Sequence, residues 1–233
     1  MRGFGVYLHL PFCLRRCDYC AFATWDDRAE VMQRYLMALR TEIDRGSPGR
    51  PAATSVFVGG GTPSLVDPAD LAVVLARIDR LAGAEVTLEA NPETLTADRL
   101  AGYRDAGVTR VSLGVQSFVD DVLDALGRDH DAATAVRAAE LVAGAGFESW
   151  NIDLIYGARG EDLEAWRRSV EQAIDLGVPH LSAYGLTVET GTPLAAQPER
   201  WPDDDDLADK YLLADDLLDA AGLSWYEISN WSL

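Results

Sequence analysis

The sequence predicts an α/β fold: a partial, open barrel of TIM type, (β/α)6, with parallel strands. Three observations carry this. Six runs rich in Val, Ile and Leu alternate with segments of helical period, which is the pattern of repeated βα units. Several helical segments stop at a glycine, as at Gly107, Gly146 and Gly177, where a left-handed cap closes a helix. Within the strand-like runs polar and apolar residues alternate, so the sheet has one polar face.

In chain order, strands are expected at Val6–Pro11, Ser55–Gly60, Glu85–Asn91, Arg110–Ser117, Ser149–Tyr156 and His180–Glu189. Helices are expected near Ala29–Arg45, Pro68–Leu81, Ala97–Ala106, Ala132–Ala145 and Leu163–Leu176. One strand face carries Tyr7 and His9, then Thr87, Glu89 and Asn91, then Ser112, Gly114 and Gln116. It continues with Asn151 and Asp153, and with His180, Ser182 and Tyr184, while Leu8, Leu88, Leu113, Ile152, Leu154 and Leu181 occupy the other face. A closed eight-stranded barrel fills its interior with bulky aliphatics. A polar interior instead implies an open barrel around a large polar ligand.

Residues 1–190 are read as this core barrel. Residues 191–233 are read as a connecting loop, a helix near Leu207–Ala221 and an extended segment around Trp225–Trp231, the start of an incomplete C-terminal region. The acidic run Asp203–Asp206 is a helix N-terminus, where carboxylates oppose the positive end of the helix dipole.

The chain has 233 residues, 48% of them hydrophobic and 25% charged, enough for one sizeable core. With 20 Lys and Arg against 38 Asp and Glu, the formal charge is -18 and no basic cluster stands out. Nucleic acid and anionic membranes are therefore not expected partners. Met1-Arg2-Gly3-Phe4-Gly5 runs into a strand pattern without an apolar leader, and no later segment reaches about 18 uninterrupted apolar residues. No transmembrane segment and a cytoplasmic location are expected.

All three cysteines, Cys13, Cys17 and Cys20, fall in one loop after the first strand with the spacing C-x3-C-x2-C. An odd number this tightly spaced does not suit disulfides. Three thiolates can hold three irons of a cubane and leave the fourth open to a small chelating ligand. The alternative is a structural zinc with His9 or another group as fourth ligand, although structural zinc usually draws on two cysteine pairs and no second pair exists. Gly59-Gly60-Gly61-Thr62-Pro63 ends the second strand, where bare backbone can approach a ligand closely or simply make a tight turn. Asp153, between Ile152 and Leu154, needs a partner or ligand, because unpaired burial of a carboxylate is costly. A structural arginine pair would serve equally. His130 and His180 are read as orienting loops or satisfying backbone groups, and no nucleophile elbow supports a hydrolase.

Seven motifs follow one another along the chain: Tyr7–Cys20 (Y-x-H-x-P-F-C-x3-C-x-Y-C), Gly59–Ser64 (G-G-G-T-P-S), Glu89–Pro92 (E-A-N-P) and Arg110–Phe118 (R-V-S-L-G-V-Q-S-F), then Leu126–His130, Asn151–Gly157 and His180–Thr192. In this order they resemble the radical-SAM proteins of the group formed by oxygen-independent coproporphyrinogen III oxidases and HemW-type heme chaperones. The resemblance implies a radical-SAM barrel with a 4Fe-4S cluster on Cys13, Cys17 and Cys20 and S-adenosylmethionine at its open iron. It places Gly60, Gly61 and Thr62 at the methionine end of that ligand and Tyr7 beside it. Tyr19 would contact the adenine and Glu89 the ribose hydroxyls. Gln116, Arg128 and Asp153 would be further ligands, Arg128 through its planar fork to a carboxylate, and Thr187 would lie near the adenosine.

Two activities from different classes are consistent with this group. In the oxidases the cysteine motif continues with a fourth cysteine, whereas Phe22 stands there, as in the chaperones. Leu186–Thr192 also resembles the chaperone type. The implied function is a heme chaperone that binds heme and passes it to recipient hemoproteins, with a low-potential electron donor as a further partner. The alternative is coproporphyrinogen III oxidase, and a radical-SAM methyltransferase matches the late motifs less well. Family members are longer, with a C-terminal region for the tetrapyrrole, so heme binding is expected of a full-length protein.

Overall fold

A computed structural model of the chain describes residues 3–233. Met1 and Arg2, part of the segment read as free of a leader, lie outside them. The first six strands are β1 (Gly5–Leu10), β2 (Ala53–Gly60), β3 (Arg80–Ala90), β4 (Arg110–Gln116), β5 (Ser149–Tyr156) and β6 (His180–Gly185). They pair side by side in chain order, all parallel. The antiparallel strands β7 (Ser224–Glu227) and β8 (Asn230–Ser232) extend the sheet past β6 in the order β6-β8-β7. The sheet is open, with β1 at one edge and β7 at the other.

Helices α1 (Met32–Gly46), α2 (Pro68–Leu75), α3 (Ala97–Asp105), α4 (Asp120–Leu126), α5 (Ala132–Gly144), α6 (Leu163–Asp175) and α7 (Asp204–Ala220) complete the fold. Five starts carry a side-chain cap: Asp67, Thr96, Asp131, Asp162 and Asp203 each accept a backbone N–H of the first turn. Gly107, Gly146 and Gly177 do take positive φ after α3, α5 and α6. The apolar strand face, including Val58, Leu88, Leu113, Ile152 and Leu181, is buried in one core with Leu71, Tyr103, Val142 and Trp166 of the helices. Burying that face is the main stabilising term. It leaves the polar face for the lumen.

Some boundaries differ from the expected ones. Helix α2 ends at Leu75 rather than Leu81, because Arg80 already pairs with Ala53 of β2. Strand β6 ends at Gly185, four residues before Glu189. The segment around Trp225–Trp231 is a hairpin: the Glu227 carboxylate accepts from Ser229 N at 3.2 Å and Asn230 Nδ2 at 2.6 Å, which turns the chain. Trp231 of β8 is fully buried in the same core as the barrel strands, and its Nε1 donates to Asp215 of α7 at 2.8 Å. Asp203 Oδ1 caps α7 by accepting from Asp205 N and Asp206 N, which confirms the acidic run as a helix start.

Candidate functional site

At the C-terminal ends of the parallel strands the loops surround a cavity of about 600 Å³. This is the functional end of a βα barrel, since the loops that vary there are free of packing duties. Cys13, Cys17 and Cys20 line it, as do Gly60, Gly61, Thr62, Glu89, Gln116, Arg128, Asp153, Tyr19 and Thr187. Twelve of the thirteen residues singled out from the sequence therefore share one cavity. The exception is Tyr7, which is exposed on edge strand β1 with its hydroxyl 3.0 Å from His9 Nδ1. Its ring stacks at 6.1 Å on Phe57, which does line the cavity.

The cysteine loop is held by backbone bonds, Cys13 N to Trp25 O at 3.0 Å and Cys20 N to Cys17 O at 3.1 Å. Thr62 N donates to Phe12 O at 2.7 Å and Gly61 N to Leu10 O at 2.8 Å, so the glycine turn is bound directly to the loop. Side chains would not fit there. A Cβ on Gly61 would stand 2.6 Å from Phe12 O and 2.8 Å from Cys13 Sγ, and Gly60 has φ +126. Burial pushes the Cys13 thiol up, against hydrogen bonds from Thr62 and Thr24.

Within the chain Arg128 bonds sulfur and backbone. Its Nη1 donates to Cys17 Sγ at 3.3 Å and its Nη2 to Gly114 O at 3.0 Å, while Nε is buried without a partner. Burial disfavours its charge, but Tyr19, Cys17 and Glu93 around it hold its pKa above the ordinary value. Tyr19 is raised by burial, with Arg128 opposing, and it packs against the small apolar cluster that includes Leu126, Ile155 and Leu186. Gln116 has φ +68, the one non-glycine positive φ among the described residues, at a register shift between β4 and β5. Such strain marks positions that the surroundings over-determine.

Glu89 lies at the end of β3 and its Oε2 accepts from Gly60 N at 3.0 Å. Burial pushes its carboxyl up to about 7, with the Gly60 N–H opposing and Asp153 adding. Asp153 has neutral partners instead of an arginine: Ser112 Oγ donates to Oδ2 at 2.8 Å and Asn151 Nδ2 to Oδ1 at 2.7 Å. Burial raises its pKa while these donors and the nearby Arg110 lower it. Thr187 Oγ1 donates to Gly185 O at 3.3 Å on the rim.

His130 does satisfy backbone, its Nε2 2.9 Å from Val115 O, and Nδ1 faces Glu93 at 3.3 Å. His9 is engaged at both nitrogens, by Tyr7 and by Ala23 O at 2.9 Å, and so does not offer itself as a fourth zinc ligand. Among the described residues no three His, Cys, Asp or Glu side chains converge on a point that one ion would fill. The thiols border a space large enough for a cluster, beside a cation at Cys17 and a glycine without Cβ at Cys13, and this donor set fits three irons of a cubane. The lumen residues without an assigned role, among them Arg110, Asn151, His180, Ser182, Tyr226 and Asn230, also line the cavity. Strand alternation puts Asn151, His180 and Ser182 on the right face; the sequence marks Arg110 only as the start of a strand and its motif, and nothing in it singles out Tyr226.

Among the described residues no helix is long and apolar enough to cross a membrane. The heme chaperone HemW of Mycobacterium tuberculosis is 46% identical over 241 residues, covering 98% of this chain and 62% of its own length. HemW of Escherichia coli is 41% identical, with the same shares of 98% and 62%. The chain thus spans about 62% of the length of these curated relatives. Coproporphyrinogen III oxidase HemN from Escherichia coli, a radical SAM enzyme, superposes with TM-score 0.88 at 26% identity, covering 99% of this chain and 56% of that one. The family model of the Radical SAM superfamily matches residues 7–192, and that family implies a 4Fe-4S cluster and S-adenosylmethionine. The open parallel barrel matches the fold of that radical SAM enzyme, the family model covers most of the chain, and the chain belongs to the Radical SAM superfamily.

Proposed function

We propose that this chain is the cluster- and S-adenosylmethionine-binding barrel of a HemW-type heme chaperone. The observation that carries the reading is the shared cavity: three thiols, the Gly60–Thr62 backbone and the carboxylates Glu89 and Asp153 line one space. Cys13, Cys17 and Cys20 would hold three irons of a 4Fe-4S cluster. When bound, that cluster supplies one electron to the sulfonium of S-adenosylmethionine. Gly60, Gly61 and Thr62 would receive the methionine end, because their backbone is open at the cavity wall and a side chain at Gly61 would meet Cys13. Glu89 would accept from the ribose hydroxyls in place of the Gly60 N–H it now takes. Asp153, Gln116, Arg128, Tyr19 and Thr187 would complete the pocket, with Tyr7 supporting Phe57 from outside.

Heme, recipient hemoproteins and a low-potential electron donor are the proposed partners, in the cytoplasm. The identity to HemW proteins supports the chaperone over the oxidase, and so does Phe22 at the position of the oxidases' fourth cysteine. The test is anaerobic reconstitution with iron and sulfide, followed by EPR of the reduced protein with and without S-adenosylmethionine. A cubane signal that shifts with the ligand is expected, and uptake of one zinc without a cluster overturns the reading. With a full-length protein, heme titration with no coproporphyrinogen turnover is expected; turnover would make it an oxidase.

A further inference from the structure

Behind Asp153 a series of side chains leads across the lumen to the C-terminal hairpin. Tyr226 OH lies 2.7 Å from His180 Nε2, and His180 Nδ1 bonds Asn151 Oδ1. Asn151 Nδ2 donates to Asp153 Oδ1 at 2.7 Å and to Ser112 Oγ at 2.9 Å. Ser112 Oγ donates to Asp153 Oδ2 at 2.8 Å, and Ser182 Oγ donates to Asn151 Oδ1 at 3.3 Å. Asn151, Ser112 and Ser182 are all buried.

The Asn151 amide sets the directions, and Arg110 Nη2, also 3.2 Å from His180 Nδ1, then stands beside that nitrogen without donating to it. Both hydrogens of Asn151 Nδ2 are spent on Ser112 and Asp153, so Oδ1 must accept. His180 Nδ1 therefore carries the proton. The ring is neutral, since burial and the adjacent Arg110 push its pKa down to about 4, so Nε2 accepts from the Tyr226 hydroxyl. Donors thus run one way, from Tyr226 through His180 and Asn151 to Asp153, and polarise one another in a partly buried setting. Tyr226 is itself held in place, because its hairpin partner strand β8 pairs with β6 and buries Trp231.

We infer that His180 and Tyr226 are positioning residues: they orient Asn151, which aims the Asp153 carboxylate, and so couple ligand binding in the barrel to the seating of the C-terminal hairpin. This rests on the proposed role of Asp153 at the S-adenosylmethionine site.

The experiment uses the reconstituted full-length protein and measures the dissociation constant for S-adenosylmethionine by calorimetry, with the ligand-free EPR signal and the thermal midpoint as controls. Tyr226→Phe is expected to weaken binding about threefold and His180→Leu about tenfold, the size of one lost charge-oriented hydrogen bond. His180→Asn keeps a donor facing Asn151 and is expected to recover most of the loss. In an Asp153→Asn background, Tyr226→Phe is expected to have no further effect. Additive losses in that background, or equal losses in His180→Leu and His180→Asn, overturn the positioning role while leaving Asp153 as a ligand. If Asp153→Asn alone leaves affinity unchanged, it is the assignment of Asp153 to the site that fails, and the positioning inference with it.

Discussion

Arg128 and Cys17 meet across the mouth of the cavity, Nη1 to Sγ at 3.3 Å, with the same guanidinium held by Gly114 O at 3.0 Å. A cation donating to a cluster sulfur stabilises the more reduced, more negative state. Arg128→Gln removes the charge while keeping a donor. In the reconstituted protein it is expected to lower the cluster's reduction potential, read by EPR-monitored titration, because charge and hydrogen bonds at the sulfurs help set that potential.

Gly61→Ala places a methyl where Phe12 O stands 2.6 Å and Cys13 Sγ 2.8 Å away. Backbone on one side and a thiol on the other leave little room to yield, so the expected cost is about 1–3 kcal/mol in denaturant unfolding. Iron bound per chain after reconstitution should fall with it. Normal iron content in a folded variant would show that the loop shifts without loss.

Glu89 makes the apo chain less stable as pH rises. Its folded pKa of about 7 lies above the ordinary 4.5, so the folded chain binds its proton more readily than the unfolded one. Stability from this group is full below about 4.5 and is lost as pH climbs through about 7. Glu89→Gln is expected to flatten that slope and gain on the order of 1–3 kcal/mol at pH 8 relative to the parent. Thermal midpoints measured between pH 5 and pH 8 check it.

Lys210 of α7 is fully buried, donating from Nζ to Glu161 O at 2.7 Å, with Glu161 Oε2 at 3.7 Å and Asp206 in direct contact. Glu161 in turn accepts from Gly157 N at 2.6 Å, so one ammonium fastens α7 to the loop after β5. Lys210→Met strands the carboxylates and is expected to cost about 3–5 kcal/mol. Burial pushes Glu161 up to about 7, with Lys210 opposing, so protonation can relieve the variant. Denaturant unfolding should therefore show a smaller loss at pH 6 than at pH 8.

The barrel was legible because period and punctuation agree: all six parallel strands lie where Val, Ile and Leu cluster, and three glycines cap helices as expected. The lumen was legible for the same reason, since alternation along a strand decides its face. Helix α4 was not foreseen, because seven residues are too few to establish a period. The β7–β8 hairpin read as one segment because its turn, at Ile228 and Ser229, carries no Gly, Pro or Asn. Lys210 gave no sign of burial, since a lysine four residues after an aspartate on a helix is the usual exposed pair. Arg128 was placed at the cavity, but its sulfur partner comes from a loop 111 residues earlier, a contact only the fold makes.

Among the described residues β1 and β7 form the two rims of the sheet, and the wall between them is a strip rather than a hoop. A hoop has its bore set by the number and slant of its staves, whereas a strip sets its bore by how tightly it curls. A strip can change its curl with the strain spread over many bonds and no ladder broken. Amide exchange should be graded accordingly, slowest along β4 in the middle and quickest at the two rims.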